Sequence, residues 1–468
     1  MRAPAAALAL CLAATPARAD DPKPAPDAPL RDHAVPTPPL PWQHYFVPAI
    51  ENAVLHLTLL SFNTLVTRQS FALISPQTMT RNLDPKTWTF DADYYLTNQF
   101  GHPYQGALSF GAARGAGLSF WWSALYTTLS SAMWELFYEA ESPSVNDQIT
   151  TSIGGSLLGE ALHRAAHQAL GWRGPRWIGR IGATLLDPMT AITEGFLGQP
   201  HVEDVTLDPL FVRWEFGATA GGVFDRNTGE RENRMPLQAL VSVLMVSGPP
   251  WGPRSTYDEP LSYFDLRADL AFPRAVVGNI FIRGLLWGSR FGSRGVWGLF
   301  GDYDYAAPAI IRASAVSLGP GLVVQGTPLP HLYLQFGGVL GGSPFAAAGQ
   351  LLNVSPDEGR DYHVGPGIHS VLELRLIRPH WFSIDLVARN WVVFGAYVEP
   401  LGGVESINYL TLGATIPVWK WLGVGLESTL SDRRAHFAGV GDVHDTGLTL
   451  RLTMSVLSEP HFGVEGDR

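Results

Sequence analysis

The sequence predicts an α+β protein in which an N-terminal helical domain precedes an antiparallel transmembrane β-barrel of about 12 strands. Three observations support this fold class. Charged residues make up only 16% of the chain, below the roughly 25% of soluble domains, while glycine, tryptophan and phenylalanine are frequent. Apolar residues recur with helical spacing before about residue 200 and with strand-like alternation after it. Few charges and many aromatic residues are typical of a barrel whose outer surface faces lipid.

The first 19 residues have the features of a secretory signal peptide. They combine a positively charged start, an apolar run over residues 5–14 and a small-x-small cleavage site at 17–19. We expect cleavage after Ala19 and localisation in the outer membrane of a Gram-negative-type bacterium. The one cysteine of the sequence, Cys11, lies inside this segment. The exported protein is therefore expected to have no disulfide and no thiolate metal site.

The chain is acidic, since 32 lysines and arginines against 42 aspartates and glutamates give a net charge of −10. It has no basic cluster, which argues against nucleic acid as a partner. For a membrane barrel we expect outer-membrane lipid as a partner, and the barrel-assembly machinery during insertion. The sequence indicates no cofactor, and it leaves a small-molecule or lipid substrate open.

The helical domain is placed at residues 43–200, after a proline-rich leader at 20–42 that cannot build a core. Residues 42–68 have helical periodicity, and His56 within them is interpreted as a core histidine. Alternation then predicts a short strand from Trp88 to Leu96. The side chains expected on one face of that strand are Trp88, Phe90, Ala92 and Tyr94.

A long helix is predicted from the Gly-His-Pro-Tyr turn at 101–104 to about Glu139. Residues 115–134 within it carry no charge, so a transmembrane helix must be considered. Six serine and threonine side chains in that run favour a buried helix instead. A second helix is expected from Asp147 to about Leu170, and a third from Pro188 to Phe196.

The predicted barrel occupies residues 201–468. Twelve strand-like segments follow residue 205, with about 22 residues for each strand and its connection. Alternation places four charged side chains on one face, which we expect to be the polar lumen: Glu373, Arg375, Asp385 and Arg389. The last residues read HFGVEGDR, so the aromatic residue that usually ends such a barrel would be Phe462, inside a short tail. A soluble β-sandwich is the alternative fold.

Ionisable side chains are spaced through an otherwise apolar, glycine-rich background between Trp88 and His163. They are Asp91, Asp93, His102, Arg114, Glu135, Glu139, Asp147 and Glu160. Because these segments otherwise look buried and buried charges need partners, this stretch is the candidate functional region.

The motifs of this stretch are Trp88-x-x-Asp91-x-Asp93, Asn98-Gln99-Phe100-x-His102-Pro103-Tyr104, Arg114-x-x-Gly117, Trp134-Glu135, Ser144-x-x-Asp147 and Gly159-Glu160. Together they resemble the bacterial DUF3943 family, whose function is unknown. The resemblance covers about residues 43–200, and DYHVGPG at 361–367 resembles the barrel part of such proteins. It implies an outer-membrane setting and marks the members of a binding or buried polar network: Asp91, Asp93, Asn98, Tyr104, Arg114, Trp134, Ser144 and Glu160.

Several chemical interpretations remain open. In a structural interpretation the helices form a plug in the barrel or a periplasmic domain beneath it, Arg114 pairs with Glu135 or Glu139, and His102 anchors the turn before its helix. In a catalytic one, a membrane-embedded hydrolase acts on lipid or glycan with His102 as general base. Glu135, Glu139 and Asp147 are its other candidate residues, and Ser109 or Ser144 could supply a hydroxyl. The sequence contains neither G-x-S-x-G nor H-E-x-x-H.

A metal site is a weaker interpretation, because Glu160 and His163 form a single Glu-x-x-His motif where a dinuclear carboxylate site normally has two. A pore or transporter would require an open lumen. We therefore expect an outer-membrane barrel with a structural or envelope-maintenance role. The hydrolase and the pore or transporter are the alternatives.

Overall fold

The architecture is taken from a computed structural model of the chain. The described residues are 40–91, 93–171, 175–198, 210–251, 257–272, 276–308, 311–349, 362–397, 402–437 and 441–464. The predicted signal peptide and nearly all of the proline-rich leader lie outside these residues.

Twelve antiparallel strands close into a barrel in which β1 pairs with β12. The fold class predicted for the C-terminal part is therefore confirmed, and a β-sandwich is not formed. The strands are β1 Leu210–Asp225, β2 Arg231–Ser247, β3 Phe264–Phe272, β4 Val276–Phe291, β5 Gly295–Ala306, β6 Ala313–Leu329, β7 Leu332–Ala348, β8 His363–Arg378, β9 Phe382–Phe394, β10 Val404–Trp419, β11 Leu422–Phe437 and β12 Gly441–Leu457. Because the strand number is even, the start of β1 and the end of β12 lie at one rim, called here the terminal rim. The opposite one is the distal rim.

The lumen is crossed by ion pairs between strands that are not neighbours in the sheet. Arg213 Nη1 on β1 lies 2.8 Å from Asp385 Oδ2 on β9, and Arg389 Nη1 on β9 lies 2.8 Å from Asp304 Oδ1 on β5. Glu373 on β8 accepts a 2.9 Å bond from Arg283 on β4. Such contacts are possible only for inward-facing side chains. The predicted lumen residues Glu373, Arg375, Asp385 and Arg389 are thus confirmed as inward.

Because side chains alternate along a strand, the residues between the inward-facing ones point outward. On β8–β12 these outward residues form an apolar belt. Leucines on this belt are among the most exposed apolar side chains, for example Leu412 at 53%, Leu426 at 60% and Leu452 at 67%. Trp381 and Trp419 lie near the terminal rim and are also exposed. An apolar band with aromatic residues at its border is the pattern of strands that face lipid.

The described residues before the barrel form eight α-helices. They are α1 Gln43–Phe62, α2 Pro76–Asn82, α3 His102–Gly115, α4 Phe120–Met133, α5 Val145–Ile149, α6 Gly155–Leu170, α7 Arg176–Leu186 and α8 Pro188–Leu197. Four π-helical turns adjoin them, at Asn63–Thr67, Thr97–Gly101, Trp134–Tyr138 and Thr150–Gly154. The third predicted helix is confirmed as α8, capped by the Asp187 side chain. The second is α5 continued through a π turn into α6.

The helical domain packs on the outside of the barrel, against the outward faces of β2–β8, here named the outer wall. Ile282 faces outward because its neighbours Phe281 and Arg283 face the lumen, yet it is fully buried with the helices. The outward Tyr303 donates a 2.6 Å hydrogen bond to Gln99 O, and the outward Gly301 lies beside Leu157 of α6. The expected plug or underlying domain is therefore wrong in its placement. The lumen is already filled by charged side chains, so the helices use the apolar outer wall.

Two other sequence predictions are corrected. The stretch from Trp88 to Leu96 forms only an isolated bridge between Thr89 and Ser144, and Ala92 lies outside the described residues. The long helix breaks after Gly115, where Gly117 adopts a φ of 81° that glycine accepts without strain. α4 then begins behind the Ser119 cap, so residues 115–134 are not one spanning helix.

Helix α1 with its π turn is the one described helix long and apolar enough to cross a membrane. Its residues Gln43–Thr67 have a mean hydropathy of 1.3 and are 22% buried. His56 on its inner side is fully buried, which agrees with its interpretation as a core histidine. At the other end of the chain Phe462 is also buried and contacts Phe211, as expected for an aromatic residue inside a short tail.

Candidate functional site

Five acidic residues meet at the distal-rim end of the helical domain and form the carboxyl cluster: Asp91, Asp93, Glu135, Glu139 and Asp147. Two asparagine side chains hold its centre. Asn98 Nδ2 donates to Asp91 Oδ1 at 2.6 Å, and Asn146 Nδ2 donates to Asp91 Oδ1 at 2.8 Å and to Asp147 Oδ1 at 2.9 Å. The sequence motifs marked Asp91, Asn98 and Asp147, and the structure brings them together.

Ser144 holds two members of the cluster through its backbone N–H and its side chain. Ser144 N donates to Glu135 Oε2 at 2.7 Å, and Ser144 Oγ caps α5 by accepting from Asp147 N at 3.2 Å. Residues of the cluster lie on or beside three of the four π-helical turns, Thr97–Gly101, Trp134–Tyr138 and Thr150–Gly154. Single π turns inside α-helices are frequent at functional sites.

The barrel contributes directly to the cluster through Tyr362, which precedes β8. Its hydroxyl accepts from Asn98 Nδ2 at 2.9 Å and donates to Asp93 O at 3.1 Å. Phe90 stacks on Tyr397, with ring centroids 4.3 Å apart, in the connection that follows β9. The cluster therefore lies level with the strand ends at the distal rim.

His102 lies at the start of α3 and faces Asp147, with 3.4 Å between His102 Nε2 and Asp147 Oδ2. Burial lowers the pKa of His102. The pKa of Asp147 is raised well above its usual value, first by burial and then by the nearby charge of Asp91. Both shifts favour the uncharged forms, so the pair is a neutral polar contact that holds the turn before α3 against α5.

Burial also raises the pKa of three other carboxyls of the cluster, Glu135, Asp93 and Glu139. Burial raises the pKa of Glu135 to about 8 and that of Asp93 to about 6. The pKa of Glu139 is also raised well above its usual value, by burial and then by Glu135. The neighbouring charges that shift these three pKa values are all carboxyls. At neutral pH the protonated form is therefore favoured at Glu135, Glu139 and Asp147, whereas Asp93 gains its proton only at lower pH.

We expect the helical domain to become less stable as the pH rises. The folded-state pKa of Glu135, about 8, lies above its usual value of 4.5, so its contribution is fully present below pH 4.5 and is lost as the pH rises to about 8. The expected loss is several kcal/mol, at roughly 1.4 kcal/mol per pKa unit. Helix melting followed by circular dichroism at pH 5, 6.5 and 8 measures it.

Glu135→Gln should flatten this pH dependence, because an amide keeps the oxygen that accepts from Ser144 N but does not ionise. Asp84→Asn, at an exposed carboxyl, should leave the dependence unchanged, because the amide oxygen can still accept from Lys86 N. A melting temperature that is constant from pH 5 to 8 would contradict the protonated cluster.

Arg114 lies apart from the cluster. Its Nε is 2.8 Å from Glu160 Oε2, and Arg164 Nε is 2.8 Å from Glu160 Oε1. The predicted pairing of Arg114 with Glu135 or Glu139 is therefore wrong, because α3 ends at Gly115 and presents Arg114 to α6. Glu160 is enclosed by two guanidinium groups and is not available as a metal ligand.

His163 is also engaged within the protein. Its Nδ1 lies 3.1 Å from Asp187 Oδ2 and 3.0 Å from Thr190 Oγ1, which ties α6 to α8. No group of three or more potential ligands suited to a metal ion occurs among the described residues. The Glu160–His163 interpretation thus has no support in the geometry.

Glu135 and Glu139 do not act as a carboxylate pair on one helical face. The π turn Trp134–Tyr138 ends before Glu139, whose backbone is extended, and Trp134 Nε1 donates to Glu139 Oε2 at 3.2 Å. Tyr104 lies outside the cluster and stacks on Phe100 with ring centroids 6.0 Å apart.

The hydroxyls considered for catalysis are used elsewhere. Ser109 Oγ shares a 2.9 Å hydrogen bond with Ser130 Oγ, and Ser144 Oγ caps α5. The geometry around His102 and Asp147 therefore supports proton binding and helix anchoring, and it places neither of these serines as a nucleophile for His102.

Sequence reasoning missed three members of the site. Asn146 lies between the marked residues Ser144 and Asp147, and Tyr362 lies inside the DYHVGPG segment, so both had a nearby signal. Asn82 had none, although its Nδ2 donates to Glu135 O and Glu139 O, each at 3.1 Å. Its role depends on a contact across more than fifty residues.

Comparison with solved structures returns membrane barrels with low similarity. The TodX deltaS2S3 mutant monoaromatic hydrocarbon channel is 10% identical, with 53% of this chain and 90% of that chain covered and a TM-score of 0.21. An anion-selective porin from Comamonas acidovorans is 6% identical, with 53% and 99% covered and a TM-score of 0.20. The Pseudomonas putida toluene transporter TodX is 9% identical, with 57% and 93% covered and a TM-score of 0.22. At these scores nothing about residues or activity transfers to this chain.

Comparison of the sequence gives a more specific result. No curated protein matches the chain. Residues 87–189 match the model of a family described as a domain of unknown function, DUF3943. This range contains all five members of the carboxyl cluster, whereas the contact residues Tyr362 and Asn82 lie outside it. The resemblance of the motifs to this family is confirmed over residues 87–189.

Proposed function

We propose that the protein is an integral outer-membrane protein in which a closed barrel anchors the DUF3943 domain beside it, with a structural or envelope-maintenance role. One observation carries this proposal. The domain covers the outer wall of the barrel, and its far side again exposes large apolar side chains: Val54 at 54%, Leu57 at 52%, Trp122 at 49%, Leu125 at 43% and Leu129 at 55%. An apolar patch of this kind on both the barrel and the helices is expected where lipid, rather than water, surrounds the protein.

The connections support an orientation. Four of the connections at the terminal rim have only two or three residues, at 292–294, 330–331, 379–381 and 420–421. Membrane barrels have short turns on the periplasmic side and longer loops outside. The terminal rim would then face the periplasm, and the carboxyl cluster would lie near the outer surface. A barrel in this position would contact outer-membrane lipid and would need the barrel-assembly machinery for its insertion.

The lumen argues against a pore or transporter. Arg451 Nη2 on β12 reaches Asp269 Oδ2 on β3 at 2.7 Å, in addition to the cross-lumen pairs of Arg213 and Arg389. Such pairs brace opposite walls and occupy the space that a permeating solute would need. An anchoring role suits this interior better than conduction does.

Spin labels at single cysteines test the proposal. Labels at Val54→Cys on α1 and Leu125→Cys on α4 should be accessible to oxygen and protected from a water-soluble nickel complex when the protein is in lipid vesicles. Cys11, the one natural cysteine, lies in the predicted signal peptide and does not interfere after cleavage. The measurement is power-saturation electron paramagnetic resonance.

His436→Cys provides the matched control, because the His436 side chain is 77% exposed at the distal rim and should be accessible to nickel. If Val54 and Leu125 labels resemble the His436 label, the helical domain lies in water and the proposal fails.

A further inference from the structure

The exposed tryptophans of the described residues gather at the level of the terminal rim. Trp121 at the start of α4 stacks on Trp287 near the end of β4, with ring centroids 4.7 Å apart. Trp122 lies 6.0 Å from Tyr45, near the start of α1. The whole set is Trp42, Trp121, Trp122, Trp177, Trp287, Trp297, Trp381 and Trp419. Tryptophan is enriched where a membrane meets water, so this tryptophan girdle indicates one border of the membrane.

Helix α6 runs along the outer wall toward this border. Near its start, Leu157 lies beside Gly301 in the middle of β5. Further along, Arg164 Nη2 donates to Pro260 O at 3.1 Å, and Pro260 precedes β3 on the side of the terminal rim. The end of α6 therefore lies at the level of the terminal rim.

Helix α7 begins at this end of α6 and packs back along it. A Cβ atom on Gly179 would lie 2.5 Å from Ala169 O, near the end of α6. Asp187, which follows α7, lies 3.1 Å from His163 in the middle of α6. The two helices are therefore antiparallel, and Trp177 in the first turn of α7 lies at the tryptophan girdle.

The two faces of α7 differ in character. Gly179 and Ala183 are buried and form the face that packs on α6. Residues one helical turn apart share a face, and the opposite face, here named the α7 face, consists of Arg176, Trp177, Arg180 and Ile181, all exposed. Trp177 is 64% exposed and Ile181 is 43% exposed. Basic residues beside large apolar ones are typical of helices that lie in a membrane interface.

The arginines of the α7 face are not used inside the protein. Within the described part of the chain, neither Arg176 nor Arg180 has a hydrogen bond or an ion pair from its guanidinium. Arg114 and Arg164 of the same domain, in contrast, both pair with Glu160. Two positive charges are thus presented to whatever lies beside α7.

No acidic side chain shares the α7 face. The residues Arg176–Leu186 include no aspartate or glutamate. The nearest carboxyls line a small pocket beside Arg180, and both are buried: Asp187 is 5% exposed and Glu194 is 6% exposed. The α7 face is therefore a basic and apolar surface on a chain whose net charge is −10.

We propose that the α7 face binds anionic phospholipid at the periplasmic surface of the membrane. Trp177 and Ile181 enter the border of the acyl chains, and Arg176 and Arg180 bind phosphate groups, for which a guanidinium is geometrically suited. This inference rests on the proposed function, which places the terminal rim at the periplasmic side. It adds a lipid class and the residues that select it.

Helix melting of the full chain, in vesicles of phosphatidylcholine with or without phosphatidylglycerol, tests the proposal. The natural chain should melt about 4–8 °C higher when phosphatidylglycerol is present, because each arginine is attracted to a negative lipid surface. Arg176→Gln combined with Arg180→Gln should remove most of this difference. High salt should reduce it in the natural chain, since exposed charges are screened.

Arg434→Gln is the matched control, because Arg434 is an exposed arginine on β11 near the distal rim. This variant should keep the full lipid-dependent difference. All variants are compared in the same vesicles, so the lower surface pH of anionic lipid acts on each of them alike. If the natural chain melts equally in both lipids, or the double variant keeps the full difference, the proposal is overturned.

Two further measurements identify the source of any effect. Inorganic phosphate added to phosphatidylcholine vesicles should not raise the melting temperature; an increase equal to that with phosphatidylglycerol would show a site for a free anion and overturn the lipid assignment. The spin labels at Val54 and Leu125 report separately on the proposed function. If these labels lie in lipid while phosphatidylglycerol has no effect, only the role of the α7 face is wrong.

Discussion

Arg283→Ala should destabilise the barrel by about 3–5 kcal/mol, the loss expected when one partner is removed from a buried ion pair. Arg283 is fully buried and donates to Asp265 from two nitrogens and to Glu373 from one. Without the guanidinium, Asp265 loses its hydrogen-bonding partner, because the nearby Arg267 is bonded to Glu373. The measurement is urea-dependent folding in lipid vesicles, followed by the gel shift between heated and unheated protein.

The matched control is Arg434→Ala, because the Arg434 side chain is 67% exposed where it pairs with Asp432. An exposed pair contributes about 0–1 kcal/mol, so this variant should fold as the natural chain does. Arg283→Met combined with Asp265→Leu should restore most of the lost stability, since buried ion pairs can be replaced by apolar side chains at little cost. A single Arg283→Ala as harmless as Arg434→Ala would show that water fills the lumen.

The barrel could be predicted from the sequence because side chains of a strand point alternately to its two faces. Once Asp385 is placed inward, Arg389 must share its face, and the turns between strands set their number. The same rule does not tell what covers the outward face. Ile282 under the helices and Leu426 in the apolar belt are both apolar and both face outward. The reason is that contact with an apolar helix face and contact with lipid both require apolar side chains on the strand. The alternating pattern therefore could not predict that the helical domain covers the outside of the barrel.

The tyrosines of β5 carried only part of the missing signal. Tyr303 and Tyr305 face outward near the distal end of β5, and a buried tyrosine hydroxyl needs a partner. Tyr303 finds its partner in Gln99 O. Aromatic residues near a rim are also typical of strands that face lipid, so these tyrosines did not distinguish a protein cover from lipid.

The sequence predicted which residues belong to the candidate site, but it did not predict which of them contact each other. The motifs contained Asp91, Asn98 and Asp147, which meet, and also Arg114 and Glu160, which form a separate pair. Arg114 and Glu135 would lie about 30 Å apart along one continuous helix, so any pairing of Arg114 needed a contact between two helices. Which helix lies opposite Arg114 depends on tertiary packing, and spacing along the sequence does not show it.

The second large effect is expected at the crossing of α3 and α6, where Gly106→Val should separate the two helices. A Cβ atom on Gly106 would lie 2.1 Å from Thr151 O, and one on Gly155 would lie 2.6 Å from Gly106 Cα. Both obstacles are backbone, so neither can move aside as a flexible side chain would. We expect a loss of about 3 kcal/mol or more in the helical domain, at the upper end for overpacking.

The barrel should survive this change, because its lumenal pairs and strand ladders do not involve α3. Gly106→Val should therefore lower the helix melting temperature while the gel shift of the barrel persists. It should also abolish the pH dependence of helix melting, since α3 holds His102 against Asp147 and closes the carboxyl cluster. Gly195→Ala on α8, where an added Cβ meets nothing within 4 Å, is the matched control. If Gly106→Val melts like the control, the close crossing of α3 and α6 does not hold the helical domain together. If the gel shift is lost too, the barrel depends on that domain and is not its anchor.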